Sequence, residues 1–471
     1  MNKKQQKAGK QDRFTYLTET PIPRLITSLA APTIISMLVT GIYNSADTFF
    51  VGQIGENATG AAAAVGLAFP LMAVIQAVGF FFGQSSGNYL SRMLGAGKQK
   101  EANEMASTGF AMALIAGILI AGLGNLFMPQ ILRMLASGDV SAETVRMAGA
   151  YTRIILLGAP FMLCQFVINN QLRFQGSAAA AMVGLVSGAV INTGLDPLLI
   201  LGFHMGVTGA AVATVAGQAV SFVILLIQSM RGENLRLSIK HVRFSMRLFG
   251  SIVNGGAPSL FRQGLAAVAT MLLNREAGLL GGDAAIAGMS IVTRILMLLV
   301  SALIGFGQGY QPVCSFNYGA GLYGRVREGY RFCVKWGTVF LTCVAAVCLI
   351  FAPQLVGLFR DDPDVIRVGK TALRFQAVAL PLNALIVMTN MMLQSIGSGF
   401  KATVTASARN GIFFIPAILI LPALFGITGV ELAQSVADVL SAAVSLPLAL
   451  TELKKMKTAG DRPAERKENG A

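Results

Sequence analysis

The sequence predicts an all-α integral membrane protein with twelve transmembrane helices in two pseudo-symmetric six-helix bundles. Three observations carry this. Hydrophobic residues make up 54% and charged residues 13% of the 471 positions, well short of the roughly 25% charge usual in soluble domains. Apolar runs near the length needed to cross a hydrocarbon core recur along the whole chain. The chain also repeats itself. Phe82-Gly83-Gln84 followed by Gly95-Ala96-Gly97 returns as Phe306-Gly307-Gln308 followed by Gly319-Ala320-Gly321. Asn169 with Gly176-Ser177 returns as Asn390 with Gly397-Ser398, and Gly206-Val207-Thr208-Gly209 as Gly426-Ile427-Thr428-Gly429. A long duplicated half in so apolar a chain points to a transporter built from two related bundles.

The predicted spans are 24–46, 60–84, 105–127, 146–170, 179–202, 207–230, 249–273, 284–311, 331–352, 370–395, 402–424 and 428–451. Residues 1–23 read as a retained polar tail, because they lack a signal peptide's apolar core and cleavage site. Residues 24–230 form an N-lobe and 249–453 a C-lobe, joined by a basic linker at 231–248. A tail follows at 454–471.

The net charge of +15 reports topology rather than nucleic-acid binding. Six Lys and Arg lie in the tail through Arg24, three after span 2, Arg173 after span 4 and five at 231–247. Four more surround the start of span 9, Lys401 follows span 10, and six lie in the C-terminal tail. These 26 of 37 basic residues share one side of a twelve-span chain, while the loops after spans 1, 5 and 11 carry none. The positive-inside rule makes the basic side cytoplasmic, so both termini are expected there. Contact with lipid headgroups is a second consequence. The five cysteines lie in or beside apolar stretches without a CxxC pair and read as small packing residues.

Two enzyme-like patterns fail on context. Gly83-Gln84-Ser85-Ser86-Gly87 fits a hydrolase elbow, but it ends a helical span and lacks a suitable histidine. Gly369-Lys370-Thr371 lacks the upstream glycine of a phosphate-binding loop. No enzyme activity and no cofactor are expected.

The informative polar groups lie in the spans. Pro32, Ser36, Thr40, Tyr43 and Asp47 recur every three or four residues and so share one helical face. Pro32 removes a backbone hydrogen bond and offers a bend point. Asn192 and Asp196 stand at i and i+4 in span 5, as do Thr214 and Gln218 in span 6. An ionisable group inside a span marks an ion pathway by default. Two carboxylates, an amide oxygen and a hydroxyl suit Na⁺ at Asp47, Asn192, Asp196 and Thr214; alternatively one carboxylate holds a proton. The competing reading is polar glue between helices. The second half lacks this constellation. It has no acidic residue at 271–275 or 413–417, and carries Arg262, Gln263, Arg294, Arg409, Asn410 and Asp438 instead. Arg409 and Asp438 are candidates for a buried pair.

The block Ala46-Asp47-Thr48-Phe49-Phe50-Val51-Gly52-Gln53, followed by Ala61-Ala62-Ala63-Ala64-Val65-Gly66, resembles the multidrug and toxic compound extrusion (MATE) family. Gly95-Ala96-Gly97 and the two six-span halves extend the resemblance over most of 24–451. Arg409, Pro416, Leu421-Pro422 and Ala437-Asp438 are similar to the MepA-like branch. The resemblance implies a V-shaped pair of bundles exporting amphipathic organic cations in exchange for H⁺ or Na⁺. It implies an N-lobe cation site at Asp47, Asn192, Asp196 and Thr214, with Tyr43 and the bending Pro32. Relatives that couple through an acidic residue in span 7 are not matched, since span 7 has Arg262 and Glu276 lies beyond it.

Substrate contacts are expected from Met37, Thr40, Phe161, Asn169, Asn383 and Asn390. The expected partners are small-molecule organic cations and the lipid bilayer, without nucleic acid. The chain is expected to act as a monomer in a prokaryotic plasma (inner) membrane. The rival reading is a flippase for lipid-linked precursors, which the C-lobe arginines would suit through an anionic pyrophosphate.

Overall fold

A computed structural model of the chain describes residues 13–51, 58–135, 141–231 and 237–462, excepting the side chains of 42–49, 58, 59 and 135. All regular structure among them is helical. The helices are α1 (Ile22–Val51), α2 (Ala58–Gly95), α3 (Gln99–Leu126), α4 (Met128–Leu135), α5 (Ala142–Phe174), α6 (Ala178–Pro197) and α7 (Gly206–Arg231). They continue as α8 (Met246–Gly319), α9 (Tyr323–Gly357), α10 (Pro363–Ala379), α11 (Leu382–Ser395), α12 (Gly399–Ser407), α13 (Phe414–Phe425) and α14 (Ile427–Ala459).

Among the described residues, ten helices are long and apolar enough to cross a membrane, or eleven when the bent pair α10 and α11 forms one span. The 74-residue α8 breaks at Gly282, where φ is 60° and ψ is −154°. It therefore contains both predicted spans 249–273 and 284–311, and the twelve spans are accounted for. The region between those spans, which apolarity alone marks as a loop, is helical up to that glycine. Predicted span 370–395 is in turn interrupted. Its two helices meet at 57° beside Pro381, whose ring cannot donate to the preceding turn.

The chain forms two compact units. Of the described residues, one comprises 13–14, 35–51, 58–94, 98–135, 141–231 and 237–256. The other comprises 15–34, 95–97 and 257–462. The described part of the basic linker, 237–248, belongs to the first unit and is docked on α3. Arg243 N–H donates to Thr108 Oγ1 at 3.0 Å and Ser238 N–H to Ser107 Oγ at 3.2 Å. Arg243 and Arg247 pair with Glu104 and Glu101, each at 3.2 Å. The start of α1 belongs to the second unit. Thr33 Oγ1 donates to the Gly305 carbonyl at 2.6 Å, and Asn317 Nδ2 to the Leu17 carbonyl at 3.0 Å. Helix α1 runs through Pro32 without interruption.

Helices α3, α5, α6 and α7 form the packed centre of the first unit, with Tyr151, Ile155, Leu156 and Leu163 of α5 fully buried. Ser141 starts α5, its hydroxyl accepting the Thr144 N–H at 3.2 Å. The duplication is visible in the backbone. After α5, Ser177 N–H reaches the Leu172 carbonyl at 3.0 Å with Gly176 at φ 83°. After α11, Ser398 N–H reaches Leu393 at 2.9 Å with Gly397 at φ 87°. Both are helix stops closed through a left-handed glycine.

Candidate functional site

In the first unit, α6 and α7 approach through small residues. A Cβ placed on Gly188 would lie 2.7 Å from the Gly217 carbonyl oxygen, and one on Gly217 would lie 2.7 Å from that of Gly188. The Gly217 Cβ position is also 2.9 Å from Asn192 Cβ. This contact sets the polar residues of α7, Thr214 and Gln218, on the helix that faces Asn192 and Asp196. Asp196 is fully buried, Asn192 is 3% exposed and Thr214 5%. Asn192 Nδ2 donates to Asp196 Oδ1 at 3.4 Å, as the i, i+4 spacing requires. Asn192 Oδ1 and Gln218 Oε1 are buried without a hydrogen-bond partner among the described residues. Buried polar atoms are normally satisfied, so such oxygens call for an explanation.

Backbone geometry adds to the site. Pro197 follows Asp196, and the helix then widens to a π-helical stretch at Leu198–Gly202, closed by Phe203 N–H to the Leu198 carbonyl at 2.9 Å. Such widenings frequently mark functional positions. Among the described residues no group of three or more His, Cys, Asp or Glu could hold a metal ion. A cation here would depend on one carboxylate of α6 with amide and hydroxyl oxygens, a hard-oxygen donor set that suits Na⁺ or a proton. The side chains of Tyr43 and Asp47 lie outside the described residues.

In the second unit, Asp438 of α14 is the centre of a filled network. Arg409 Nε donates to its Oδ1 at 2.7 Å, Asn383 Nδ2 to its Oδ2 at 2.9 Å and Gln434 Nε2 to its Oδ1 at 2.9 Å. Arg409 stands in a second π-helical stretch, Ala408–Ile412. Gln434 was missed in the sequence, although it precedes Asp438 by four residues and that spacing could have found it.

The expected substrate contacts are dispersed. Asn383 is fully buried and engaged by Asp438. Asn390 Nδ2 donates to the Ala402 carbonyl at 2.6 Å and to Thr405 Oγ1 at 3.0 Å. Asn169 Nδ2 makes the equivalent bond to the Ala181 carbonyl at 3.2 Å. Thr40 Oγ1 bonds back to the Ser36 carbonyl at 2.8 Å, and Met37 and Pro32 are half-buried in α1. Phe161 is 42% exposed and packs on Phe222, ring centres 5.9 Å apart.

Comparison with known proteins decides the family. The MatE family model matches residues 32–198 and 258–420. The chain belongs to the MatE family. The two matched segments fall one in each repeat, in keeping with the duplication. Among curated MatE relatives, Multidrug export protein MepA of Staphylococcus haemolyticus (strain JCSC1435) is 28% identical over 93% of this chain and 95% of its own length. Multidrug export protein MepA of Staphylococcus aureus (strain MSSA476) is 26% identical over the same shares. The solved structure of an outward-facing multidrug resistance MATE family transporter of the MOP superfamily has a TM-score of 0.87 at 27% identity, covering 94% of this chain and 98% of that one. The chain is thus a multi-pass plasma membrane protein of a transporter family.

Proposed function

We propose that this MatE member is a secondary active multidrug efflux antiporter, exporting amphipathic, often cationic organic compounds in exchange for H⁺ or Na⁺. The observation that carries the reading is Asp196, fully buried in a span-forming helix beside Asn192. An ionised carboxylate at membrane depth costs about 2.5–3.5 kcal/mol on insertion scales. A proton or Na⁺ removes that cost, so occupancy of the site changes the energy of the surrounding packing. Asp47, with Tyr43, is proposed as the second carboxylate of this site, and Asn192, Thr214 and Gln218 supply neutral oxygens. Cation entry alters the packing of the first unit and the bend of α1 at Pro32, and displaces the drug.

The multidrug export function of the staphylococcal relatives supports the substrate class. Of the three C-lobe arginines that would suit a flippase, Arg262, Arg294 and Arg409, the last is matched by a carboxylate and is not free for a pyrophosphate. The charge distribution supports a cytoplasmic position for both termini, and the chain is proposed to act as a monomer, without nucleic acid or cofactor. The test is export of a fluorescent organic cation from proteoliposomes, with pH and Na⁺ gradients imposed separately. Acceleration by either gradient supports antiport. Transport indifferent to both contradicts it.

A further inference from the structure

A second site lies away from the buried carboxylate. Beside the first turns of α9 is a cavity of about 360 Å³ lined by Pro23, Arg327, Glu328, Arg331, Phe332 and Lys335. Arg327, Arg331 and Lys335 are spaced by four, which puts them on one helical face. Arg331 and Lys335 are exposed. Several cations elsewhere in the basic segments are held in ion pairs. Lys98, Arg243, Arg247, Lys401 and Lys455 all pair with glutamates. Among the described residues Arg327, Arg331 and Lys335 form no ion pair, and Glu328 is the sole acidic residue lining the cavity. The α9 N-terminus does not supply the charge, because Asp461 Oδ1 already accepts the Gly324 N–H at 2.7 Å. The opposite wall is held in place by Arg325, which donates from Nη2 to the Thr20 carbonyl at 2.6 Å.

The surroundings are those of a membrane–water boundary. The chain's single tryptophan, Trp336, follows Lys335, is 52% exposed and lies 6.5 Å from the Phe332 ring. Tryptophan favours headgroup depth. Farther along α9, Val339, Phe340 and Val347 are 45%, 42% and 50% exposed, offering apolar surface for acyl chains. We infer that this cavity binds the headgroup of an anionic phospholipid, its phosphate held by Arg327, Arg331 and Lys335 and its chains lying along Val339, Phe340 and Val347. Basic pockets at helix ends recognise such headgroups through charge, and a neutral headgroup gains less there.

Trp336 makes the site readable. The full chain is reconstituted in phosphatidylcholine bilayers containing increasing amounts of brominated phosphatidylglycerol or brominated phosphatidylcholine, and tryptophan quenching is measured. The anionic lipid should quench at mole fractions lower by about fivefold or more, the size expected from basic side chains near a membrane surface. In the double variant R331Q/K335Q, both exposed positions, the gap between the two quenching curves should shrink to what Arg327 alone sustains; a gap as wide as in the wild type would overturn the assignment. Coincident curves in the wild-type protein, which need no variant, would overturn the assignment. So would release of the quenching by millimolar inorganic phosphate, which would make the cavity a site for free anions.

Discussion

Arg409 Nε donates to Asp438 Oδ1 at 2.7 Å, and Arg409 Nη2 approaches Asp438 Oδ2 at 3.4 Å. A π-helical turn is thereby tied to α14 by a two-pronged ion pair whose acid is 4% exposed. Asn383 and Gln434 complete the shell of that acid. The second unit thus carries an acid paired with an arginine where the first carries an acid that accepts from the amide of Asn192. Duplication has produced two chemically distinct interiors.

This pair makes a prediction about stability. Arg409→Met leaves Asp438 buried without its counter-charge, and breaking a buried pair from one side costs about 3–5 kcal/mol. Arg409 is partly exposed, so the lower end of that range is expected. The double variant R409M/D438L removes both charges and should recover much of the loss. Thermal unfolding in detergent, followed by size-exclusion chromatography, checks the order: wild type, double variant, single variant.

The contact between α6 and α7 makes a second prediction. Gly217→Ala places a methyl 2.7 Å from the Gly188 carbonyl oxygen, so the helices must separate. Overpacking of this kind costs typically about 1–3 kcal/mol. Transport should fall because Thr214 and Gln218 move away from Asn192 and Asp196. Gly194→Ala on α6, where nothing lies within 4 Å of the new Cβ, is the control and should transport normally.

The repeated helix stops make a third. Gly176 at φ 83° and Gly397 at φ 87° occupy equivalent stops, and a left-handed conformation costs an L-residue about 1–2 kcal/mol. Gly176→Ala and Gly397→Ala should therefore destabilise by similar amounts, and the double variant by nearly their sum. Melting temperatures of the three proteins in one detergent give the comparison.

Pro32→Ala makes a fourth. The proline lies in a continuous helix whose residues up to Ile34 pack in the second unit, and from Ile35 onward in the first. Alanine restores the donor to the Ser28 carbonyl and stiffens the helix at this handover. Expression should persist while efflux drops several-fold. Full efflux by the variant would show that bending at Pro32 is dispensable.

Much of this was legible because it is local. The i, i+4 pairing of Asn192 with Asp196 follows from helical geometry, and the twin glycine stops after α5 and α11 were visible as repeated Gly-Ser pairs. What was missed depends on distant partners. Nothing in the order of residues announces that Thr33 bonds to the Gly305 carbonyl, 272 positions away, so the start of α1 read as N-lobe. Apolarity marks where a helix is greasy, not where it ends. Thus α9 begins at Tyr323, in a stretch whose arginines hid it, and α8 continues through 274–281 to the break at Gly282. The partner of Asn383, Asp438, lies 55 residues on, so their hydrogen bond was not legible from the local sequence.

The central claim is that the N-lobe carboxylates couple ion movement to export. The direct test is gradient-driven efflux of a fluorescent organic cation from proteoliposomes by wild type, Asp47→Asn and Asp196→Asn, with each protein's insertion verified. These substitutions keep shape and remove charge. Each variant should lose at least about tenfold of the gradient-driven rate, equivalent to about 1.4 kcal/mol in the barrier, while drug binding persists, since binding and coupling are separable. The account is contradicted if both inserted variants pump as fast as wild type under pH and Na⁺ gradients alike.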